Sequence, residues 1–279
     1  MKAYCLIRSQ PWYRREAFTT GLRMAGLEVK TGQPDRIDRD TVVLMWNRYA
    51  ENHQIAERVE QGGGTVLVAE NGYVGRGGTT PKFDVHGGVE QGHYYALAIG
   101  GHNGSGRWKQ GGPERFEALG VDLKPWRTGG EYILVCPSRN FGRPDMLMPT
   151  FWADQTIRAL RKFTKLPIRV RDHPGNNEPK RPLAEDLKGA AAVVVWASSA
   201  GVHALIEGIP VLCGAPHWIC KDAAFDKADA FREDLASPWM QMGFADCRRR
   251  AFERMAWAQW TVEEIASGEP FRYLLSDAR

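Results

Sequence analysis

Two serines and a glycine separate an apolar run from a helical pattern in the stretch "VVVWASSAGVHALIEGIPVLCG", residues 193–214. In an open parallel sheet, ligands bind at the carboxyl ends of strands, where turns lead into helices. The first amides of such a helix have no partner within the helix, and the helix dipole adds partial positive charge there. We therefore predict a phosphate site at Ser198, Ser199 and Gly201, with a plain serine N-cap as the alternative.

Two other predicted strand ends also carry residues that bind phosphate. They are Ser138, Arg139 and Asn140 after "YILVC", and Arg171 and His173 after "PIRV". Because the carboxyl ends of parallel strands share one edge of a sheet, these side chains should surround the same crevice as the two serines. Arginine pairs with phosphate through two parallel hydrogen bonds, which favours a diphosphate or a sugar nucleotide as the ligand. The alternative for His173 is a histidine bonded to a carbonyl at a strand end.

Strands alternate with helical patterns in both halves of the chain. The predicted strands are "KAYCLIR", "EVKT", "TVVLMW", "TVLVAE" and "YYALAI", then "EYILVCPS", "PIRVRDHP", "AAVVVWA" and "IPVLCG". This alternation predicts an α/β fold with parallel sheets and helical crossovers. We expect two Rossmann-like domains that face each other across a cleft.

The domain boundary is expected in a glycine-rich region. The predicted N-terminal domain spans residues 1–125 and includes the glycine-rich residues 71–125. The predicted C-terminal domain spans residues 126–279. Its end, "CRRRAFERMAWAQWTVEEIASG", is a long helical pattern followed by a capping-type start at "TVEE". We expect the last helix to pack back on the N-terminal domain.

Composition excludes several classes of protein. Hydrophobic residues make up 43% and charged residues 25% of the chain, as in soluble globular proteins. No apolar run is long enough for a membrane span, which predicts a cytoplasmic protein with no membrane partner. The five cysteines are scattered without a C-x-x-C pair, so we predict neither a disulfide framework nor a metal site. The net charge of +4 favours an anionic ligand.

Ten tryptophans are present, several of them beside a cation, as in "MWNRYA", "GRWKQ" and "KPWRTGG". They are either packing residues with a charged neighbour or platforms on which bases or sugar rings stack. No G-x-G-x-x-G follows the first strand, which argues against a nicotinamide dehydrogenase.

In this order, the motifs resemble those of GT-B glycosyltransferases, and most closely the capsule-polysaccharide transferases of the Kdo-transferring type. The matching pieces are "AENGYVGR" in the first half and "CPSRNFG", "RDHPG" and "SSAGVHALIEGIPV" in the second. The resemblance covers most of the chain and implies a transferase that uses a nucleotide-sugar. It implies no bound cofactor and no metal, and we take a UDP-sugar as the expected donor.

Three positions depart from the family pattern. Cys136 precedes Pro137 where the family has a Gln-Pro pair, and Asn71 replaces an aspartate while Glu70 is kept. His203 occupies the place of the acidic residue that holds ribose hydroxyls in many enzymes of this fold. Because a histidine can also hydrogen-bond a hydroxyl, we include it among the predicted donor-binding residues. These departures leave two alternatives to a transferase, namely a non-catalytic nucleotide-sugar or DNA-binding module and a nucleotide-sugar epimerase.

A transferase also needs a base and an acceptor site on the opposing domain. We predict Glu70 as the base, with Asp84 and His86 of the glycine-rich region next. The alternative role for Glu70 is a salt bridge or cap at a strand end. The predicted acceptor-binding residues are Trp46, Asn47, Arg48 and Arg76.

The acceptor could be one of two polymers. The capsule resemblance implies a surface polysaccharide. A short, basic chain also resembles the bacteriophage glycosyltransferases that modify hydroxymethylated bases in DNA, and the run Arg248–Arg250 with Arg254 could pair with backbone phosphates. The alternative for that run is a solvated helix face. We take the DNA base as the expected acceptor, in a bacterial or phage-infected cell, and the polysaccharide as the alternative.

Overall fold

The computed structural model describes residues 1–9, 12–79, 94–139, 142–173, 181–226 and 238–276. Its contacts divide the chain into two compact units. Unit 1 comprises Met1–Leu119, Phe141–Asp145 and Arg254–Arg279, and unit 2 comprises Gly120–Asn140 and Met146–Glu253. The predicted boundary at residue 125 stays a prediction. Of the predicted glycine-rich region 71–125, residues 80–93 lie outside the described ranges.

A mixed sheet forms the centre of unit 1. Its strands are β1 (Lys2–Cys5), β2 (Glu28–Lys30), β3 (Thr41–Trp46), β4 (Thr65–Asn71), β5 (Tyr94–Ile99) and β10 (Gln259–Thr261), in the order β10-β5-β4-β3-β1-β2. The strands β1 to β4 pair in parallel, as the alternation with helices predicts. At the other side, β5 runs antiparallel to β4 and β10 antiparallel to β5, which the sequence pattern did not indicate.

Helices cover both faces of this sheet. They are α1 (Trp12–Met24), α2 (Glu51–Gln61), α3 (Glu114–Leu119), α8 (Val262–Ser267) and α9 (Glu269–Leu275). Ile55 and Val59 of α2 pack on Val43 and Val68 of the sheet. On the other face, α1, α8 and α9 share one apolar cluster with β3, β4 and β10. Gly21 lets α1 approach α8 closely, because a Cβ there would lie 1.8 Å from a backbone carbonyl oxygen.

The C-terminal helical pattern is broken by a strand. The helix α7 (Pro238–Ala256) ends before β10, and α8 then begins with Thr261 as its N-cap. The predicted start at "TVEE" is confirmed, because the Thr261 and Glu264 side chains form a reciprocal capping box. The buried Gln259 explains the strand between the helices, since its side chain bonds the backbone of Tyr73 and Val74.

A parallel sheet forms the centre of unit 2. Its strands are β6 (Tyr132–Cys136), β7 (Ile168–Val170), β8 (Ala190–Val195) and β9 (Val211–Cys213), in the order β7-β6-β8-β9. The connecting helices are α4 (Trp152–Leu160), α5 (Leu183–Lys188) and α6 (Ser199–Ile206). Every strand of this sheet pairs in parallel with its neighbours, so the α/β prediction with parallel sheets is confirmed.

A substitution of Gln259 tests the role of β10 in unit 1. Its Oε1 accepts the N–H groups of Tyr73 and Val74 at 2.9 and 3.2 Å, and its Nε2 donates to the Val74 carbonyl at 2.9 Å. Gln259→Leu leaves these buried backbone groups without partners and should lower the free energy of unfolding by about 3 kcal/mol. Urea denaturation followed by tryptophan fluorescence measures the change. The control Gln61→Leu, at the exposed end of α2, should stay within about 0.5 kcal/mol of the wild type, and equal losses in both variants would contradict the assignment.

Candidate functional site

Three loops of unit 2 meet at the carboxyl edge of its sheet. Cys136 of β6 pairs with Val195 of β8, and Val135 pairs with Val170 of β7, so the three strands end level with one another. The loops that follow them carry the predicted donor-site residues. The parallel pairing thus brings together on one edge what the sequence places in three separate stretches.

Two serines connect the first and third of these loops. The Ser138 Oγ accepts the N–H of Ala197 at 2.9 Å, which ties the end of β6 to the turn before α6. Ser198 is the N-cap of α6, and its Oγ accepts the N–H of Ala200 at 3.2 Å. Ser199 follows as the first, exposed residue of the helix. The edge therefore has a helix N-terminus with two hydroxyl groups beside it, an arrangement that favours an anion.

Two predicted ligands of this helix lie inside the unit. Gly201 is buried, and a Cβ there would lie 2.7 Å from the Trp218 ring, so the packing of α6 on that indole requires the glycine. Its N–H donates to the Ser198 carbonyl at 3.2 Å and does not face outward. His203 is 7% exposed in the middle of α6. The positive charge at the start of the helix is therefore presented by the residues before Gly201.

Arg139 and His173 lie at the same edge. Arg139 is exposed and His173 is half-buried. Burial lowers the pKa of His173 below its ordinary value, and the charge of Arg139 lowers it further. An imidazole with a lowered pKa is mostly neutral near pH 7, so it can accept a hydrogen bond from a hydroxyl group. Asn140, the third predicted residue after β6, lies outside the described residues.

Arg171 has a structural partner at this edge. Its guanidinium forms an ion pair with Asp186 of α5, and both side chains are mostly buried. The backbone N–H of Arg171 donates to the Val135 carbonyl at 2.8 Å. The carboxylate of Asp186 therefore compensates the charge of Arg171. Arg139 is left as the exposed guanidinium among the predicted ligands.

Glu70 lies at the carboxyl end of β4 in unit 1. Its Oε1 accepts from the backbone N–H and the side-chain Nδ2 of Asn71, at 3.1 and 3.2 Å. The Oε2 atom has no hydrogen bond to any residue in the described ranges, so it can accept a proton or a hydroxyl hydrogen bond. The exposed Arg76 follows in a short 3-10 turn. Asp84 and His86, the other predicted acid–base residues, lie outside the described residues.

The loop after β3 is held in a strained conformation beside Glu70. Trp46 pairs with Ala69 in the sheet, and the guanidinium of Arg14 lies 4.0 Å from the centre of its ring. Asn47 has a φ of 46° and Ala50 a φ of 49°, values that non-glycine residues rarely adopt. The Asn52 side chain bonds the carbonyls of Trp46 and Asn47 at 3.0 and 3.2 Å. Such strain is found mostly at functional loops.

Arg48 is turned away from this edge. It is 3% exposed, and its guanidinium forms two hydrogen bonds with the Glu60 carboxylate, at 2.7 and 2.8 Å. It also donates to the Gly100 carbonyl and, at 3.2 Å, to the His53 Nδ1. Arg48, predicted as an acceptor-binding residue, is therefore a buried anchor of the strained loop to α2.

His102 is a residue that the sequence prediction missed. It lies in a loop closed by two hydrogen bonds of 2.9 Å between Ile99 and Arg107, which folds back over Ala98 of β5. Its Nδ1 is buried without a hydrogen-bond partner among the described residues. Burial lowers its pKa, and the charge of Glu70 opposes that effect, which puts the imidazole within electrostatic reach of Glu70. No motif marks His102 in the sequence, because only the fold of the loop brings it there.

The basic run predicted to pair with phosphates is divided between buried and exposed side chains. Arg249 and Arg250 are exposed, and Arg249 forms an ion pair with Glu253. Arg248 is 6% exposed, donates to the Leu205 carbonyl at 3.1 Å and stacks 4.2 Å from the Trp126 ring. Burial lowers its pKa. Arg254 likewise stacks 4.5 Å from the Trp108 ring. Trp108 and Trp126 thus serve as packing surfaces for arginines, in agreement with the first of the two interpretations of the tryptophans.

Two searches of the described residues were negative. They hold no group of three or more histidine, cysteine, aspartate and glutamate side chains placed to bind a metal ion. Across the same ranges, no helix is long and apolar enough to cross a membrane.

Comparison with known proteins gives a likeness in fold. No protein-family model and no curated protein matches the chain. Among solved structures, it is similar to Thermosulfurimonas dismutans KpsC, beta Kdo 2,7 transferase, with a TM-score of 0.54 and 14% identity over 97% of this chain and 98% of that chain. It also matches Thermosulfurimonas dismutans KpsC, beta Kdo 2,4 transferase, with a TM-score of 0.46 and 11% identity over 76% and 79% of the two chains.

The first of these likenesses defines the class of fold. The chain has a mixed α/β fold similar to that of a glycosyltransferase, and the match extends over nearly the whole of both chains. The resemblance to Kdo-type transferases that the motifs indicated is confirmed at the level of the fold. The expected resemblance to bacteriophage DNA glycosyltransferases receives no support.

The interaction of Arg139 with His173 can be tested by titration. Arg139→Gln should raise the pKa of His173, because it removes a positive charge that disfavours the imidazolium, while burial still holds the pKa below 6.5. Histidine NMR spectra recorded against pH measure the shift. The pKa of His102, which burial lowers without a contribution from Arg139, should not change. An unchanged His173 would show that the guanidinium does not act on the imidazole.

Proposed function

We propose that this protein is a GT-B glycosyltransferase that moves a sugar from a nucleotide-sugar to a hydroxyl group of a polysaccharide. The observation that carries the proposal is the likeness over 97% of the chain to a structure named as a beta Kdo 2,7 transferase. The site at the carboxyl edge of unit 2 supports it, because that edge is where open α/β sheets bind their ligands.

In this proposal the donor binds to unit 2. Its phosphate lies at the N-terminus of α6, beside the hydroxyls of Ser198 and Ser199, and Arg139 pairs with it. These groups neutralise the negative charge that develops on the leaving nucleotide, which is the main electrostatic requirement of the reaction. His173, mostly neutral at pH 7, accepts a hydrogen bond from a donor hydroxyl.

The sugar we propose is an acidic one. The similar structure is named for Kdo, a sugar acid, and a second negative charge on the donor would suit an exposed arginine at this edge. His203 takes the place of the acidic residue expected to hold the ribose, and it is buried in α6. Since both kinds of nucleotide donor carry a ribose, this position does not decide between them. On the ground of charge, we take an activated sugar acid as the first donor to test and a UDP-sugar as the second.

The acceptor binds to unit 1, and Glu70 is the general base. Its Oε2 is the atom that takes the proton of the acceptor hydroxyl, while Asn71 orients the carboxylate through Oε1. Trp46 and Asn47 border the same end of the sheet, and the exposed Arg76 follows Glu70 along the chain. We propose a polysaccharide acceptor over DNA, since the buried Arg248 weakens the argument for phosphate contacts.

A transfer assay with a matched pair of variants tests the proposal. Glu70→Gln should lower kcat by about 10²–10⁴-fold, because the amide cannot accept a proton, while the KM for the donor stays unchanged. The control Glu51→Gln, in the exposed first turn of α2, should behave as the wild type. The assay supplies CMP-Kdo or UDP-sugars with surface polysaccharide fragments, and EDTA should have no effect.

Three results would contradict the proposal. Transfer of label only to hydroxymethylated duplex DNA would restore the DNA acceptor. Interconversion of sugar epimers without an acceptor would indicate an epimerase. Binding of the donor with no turnover, equal in Glu70→Gln and the wild type, would indicate a binding module.

A further inference from the structure

A second concave site lies at the amino edge of the unit 2 sheet, one strand length from the proposed donor site. It is a groove of about 710 Å³. One wall is the segment before β6, the other is the turn between α4 and β7, and Ala191 and Ala192 of β8 form the floor. With five residues in β6, the two edges are about 17 Å apart.

The groove is lined by four cationic side chains, Arg127, Arg161, Lys162 and Lys165. No acidic side chain occurs among the described residues that line it. Four formal positive charges therefore line one concave surface. Such a concave basic surface focuses its field on an anionic ligand.

One of these cations is held rigidly. The Arg127 Nη1 donates to the carbonyls of Leu187, Lys188 and Ala190, at 2.6, 3.0 and 3.0 Å. Its backbone N–H donates to the Gly208 carbonyl at 2.7 Å. The guanidinium is therefore fixed in position before any ligand arrives, which reduces the entropic cost of binding.

The side chains of the other three cationic residues are long and exposed. Arg161, Lys162 and Lys165 make no ion pair with any residue in the described ranges. The C-terminal dipole of α4 alone would favour cations in its last turn. It does not account for Arg127, which comes from a separate segment and faces the same groove.

Apolar side chains alternate with these charges. Ile133, Phe163 and Leu166 also line the groove. A sugar chain has apolar ring faces as well as polar groups, so a mixed lining suits it. A volume of 710 Å³ lies in the range of sites for small ligands and admits a few units of a chain.

We propose that this groove binds an acidic glycan, through carboxylate groups on successive sugars, at a place separate from the reaction. This proposal rests on the proposed function, because we take the glycan in the groove to be a distal stretch of the acceptor polymer. The occupant is identified by its repeating negative charge and its sugar rings.

Binding of an oligogalacturonate to the full chain, measured by calorimetry, tests the proposal. A maltooligosaccharide of the same length is the neutral control and should not bind. Lys162→Glu combined with Lys165→Glu should weaken oligogalacturonate binding by roughly tenfold or more. Arg36→Glu combined with Arg39→Glu changes the net charge equally on the exposed surface of unit 1 and should leave the affinity unchanged.

A second variant separates shape from charge. A Cβ on Gly129 would meet nothing within 4 Å, so Gly129→Phe can fill the groove without disturbing the packing. It should also weaken oligogalacturonate binding while leaving circular dichroism unchanged. If it binds as the wild type does, the ligand does not enter the groove.

The remaining outcomes overturn the proposal. They are equal losses in both double variants, binding of the neutral chain, and duplex DNA bound in place of oligogalacturonate. Transfer to an acceptor fragment too short to reach the groove, assayed with the groove variants, tests the proposed function by itself. That activity should persist in them, and its absence from the wild type would count against the transferase and not against the groove.

Discussion

The parallel pairing of β6 with β7 on one side and β8 on the other determines where unit 2 can do chemistry. It places the ends of three strands level, so that Ser138, His173 and Ser198 lie on one edge although they are far apart in the chain. The same pairing places the strand starts level at the opposite edge. There Arg127 and the end of α4 enclose the basic groove.

Arginines contribute to this protein mainly as internal connectors. Arg48 bonds α2 and the loop after β5, and Arg171 joins β7 to α5. Arg115 bonds both Glu264 oxygens at 2.9 and 3.1 Å and lies 3.9 Å from the Trp260 ring. Removing charge from water is costly unless partners compensate it, so each of these groups has specific partners. This use of arginine explains why Arg115, Arg248 and Arg254 each stack on a tryptophan ring.

The surroundings of Glu70 include a buried polar atom without a partner and strained backbone. The carboxylate is half-buried, with one oxygen bonded to Asn71 and the other open. The half-buried imidazole of His102 has a lowered pKa, and its buried Nδ1 has no partner in the described part of the chain. An unsatisfied buried polar atom is costly. Together with the strained backbone at Asn47 and Ala50, it marks this edge as the part of unit 1 that is shaped for something other than stability.

The sequence by itself determined the alternation of strands and helices, the parallel pairing of β1 to β4 and of the unit 2 strands, a serine N-cap before α6 and the capping-type start at Thr261. These features follow from local periodicity and local hydrogen bonds. Only the tertiary structure decided that β10 completes the first sheet, since the three bonds of Gln259 reach residues nearly 190 positions away. It also decided which charges face solvent. Arg48 and Arg248 look like ligands in the sequence, but burial depends on partners such as Glu60 and Trp126, which are remote from them in the chain. Residue type and spacing reveal candidate chemistry, and long-range packing selects the candidates that remain accessible.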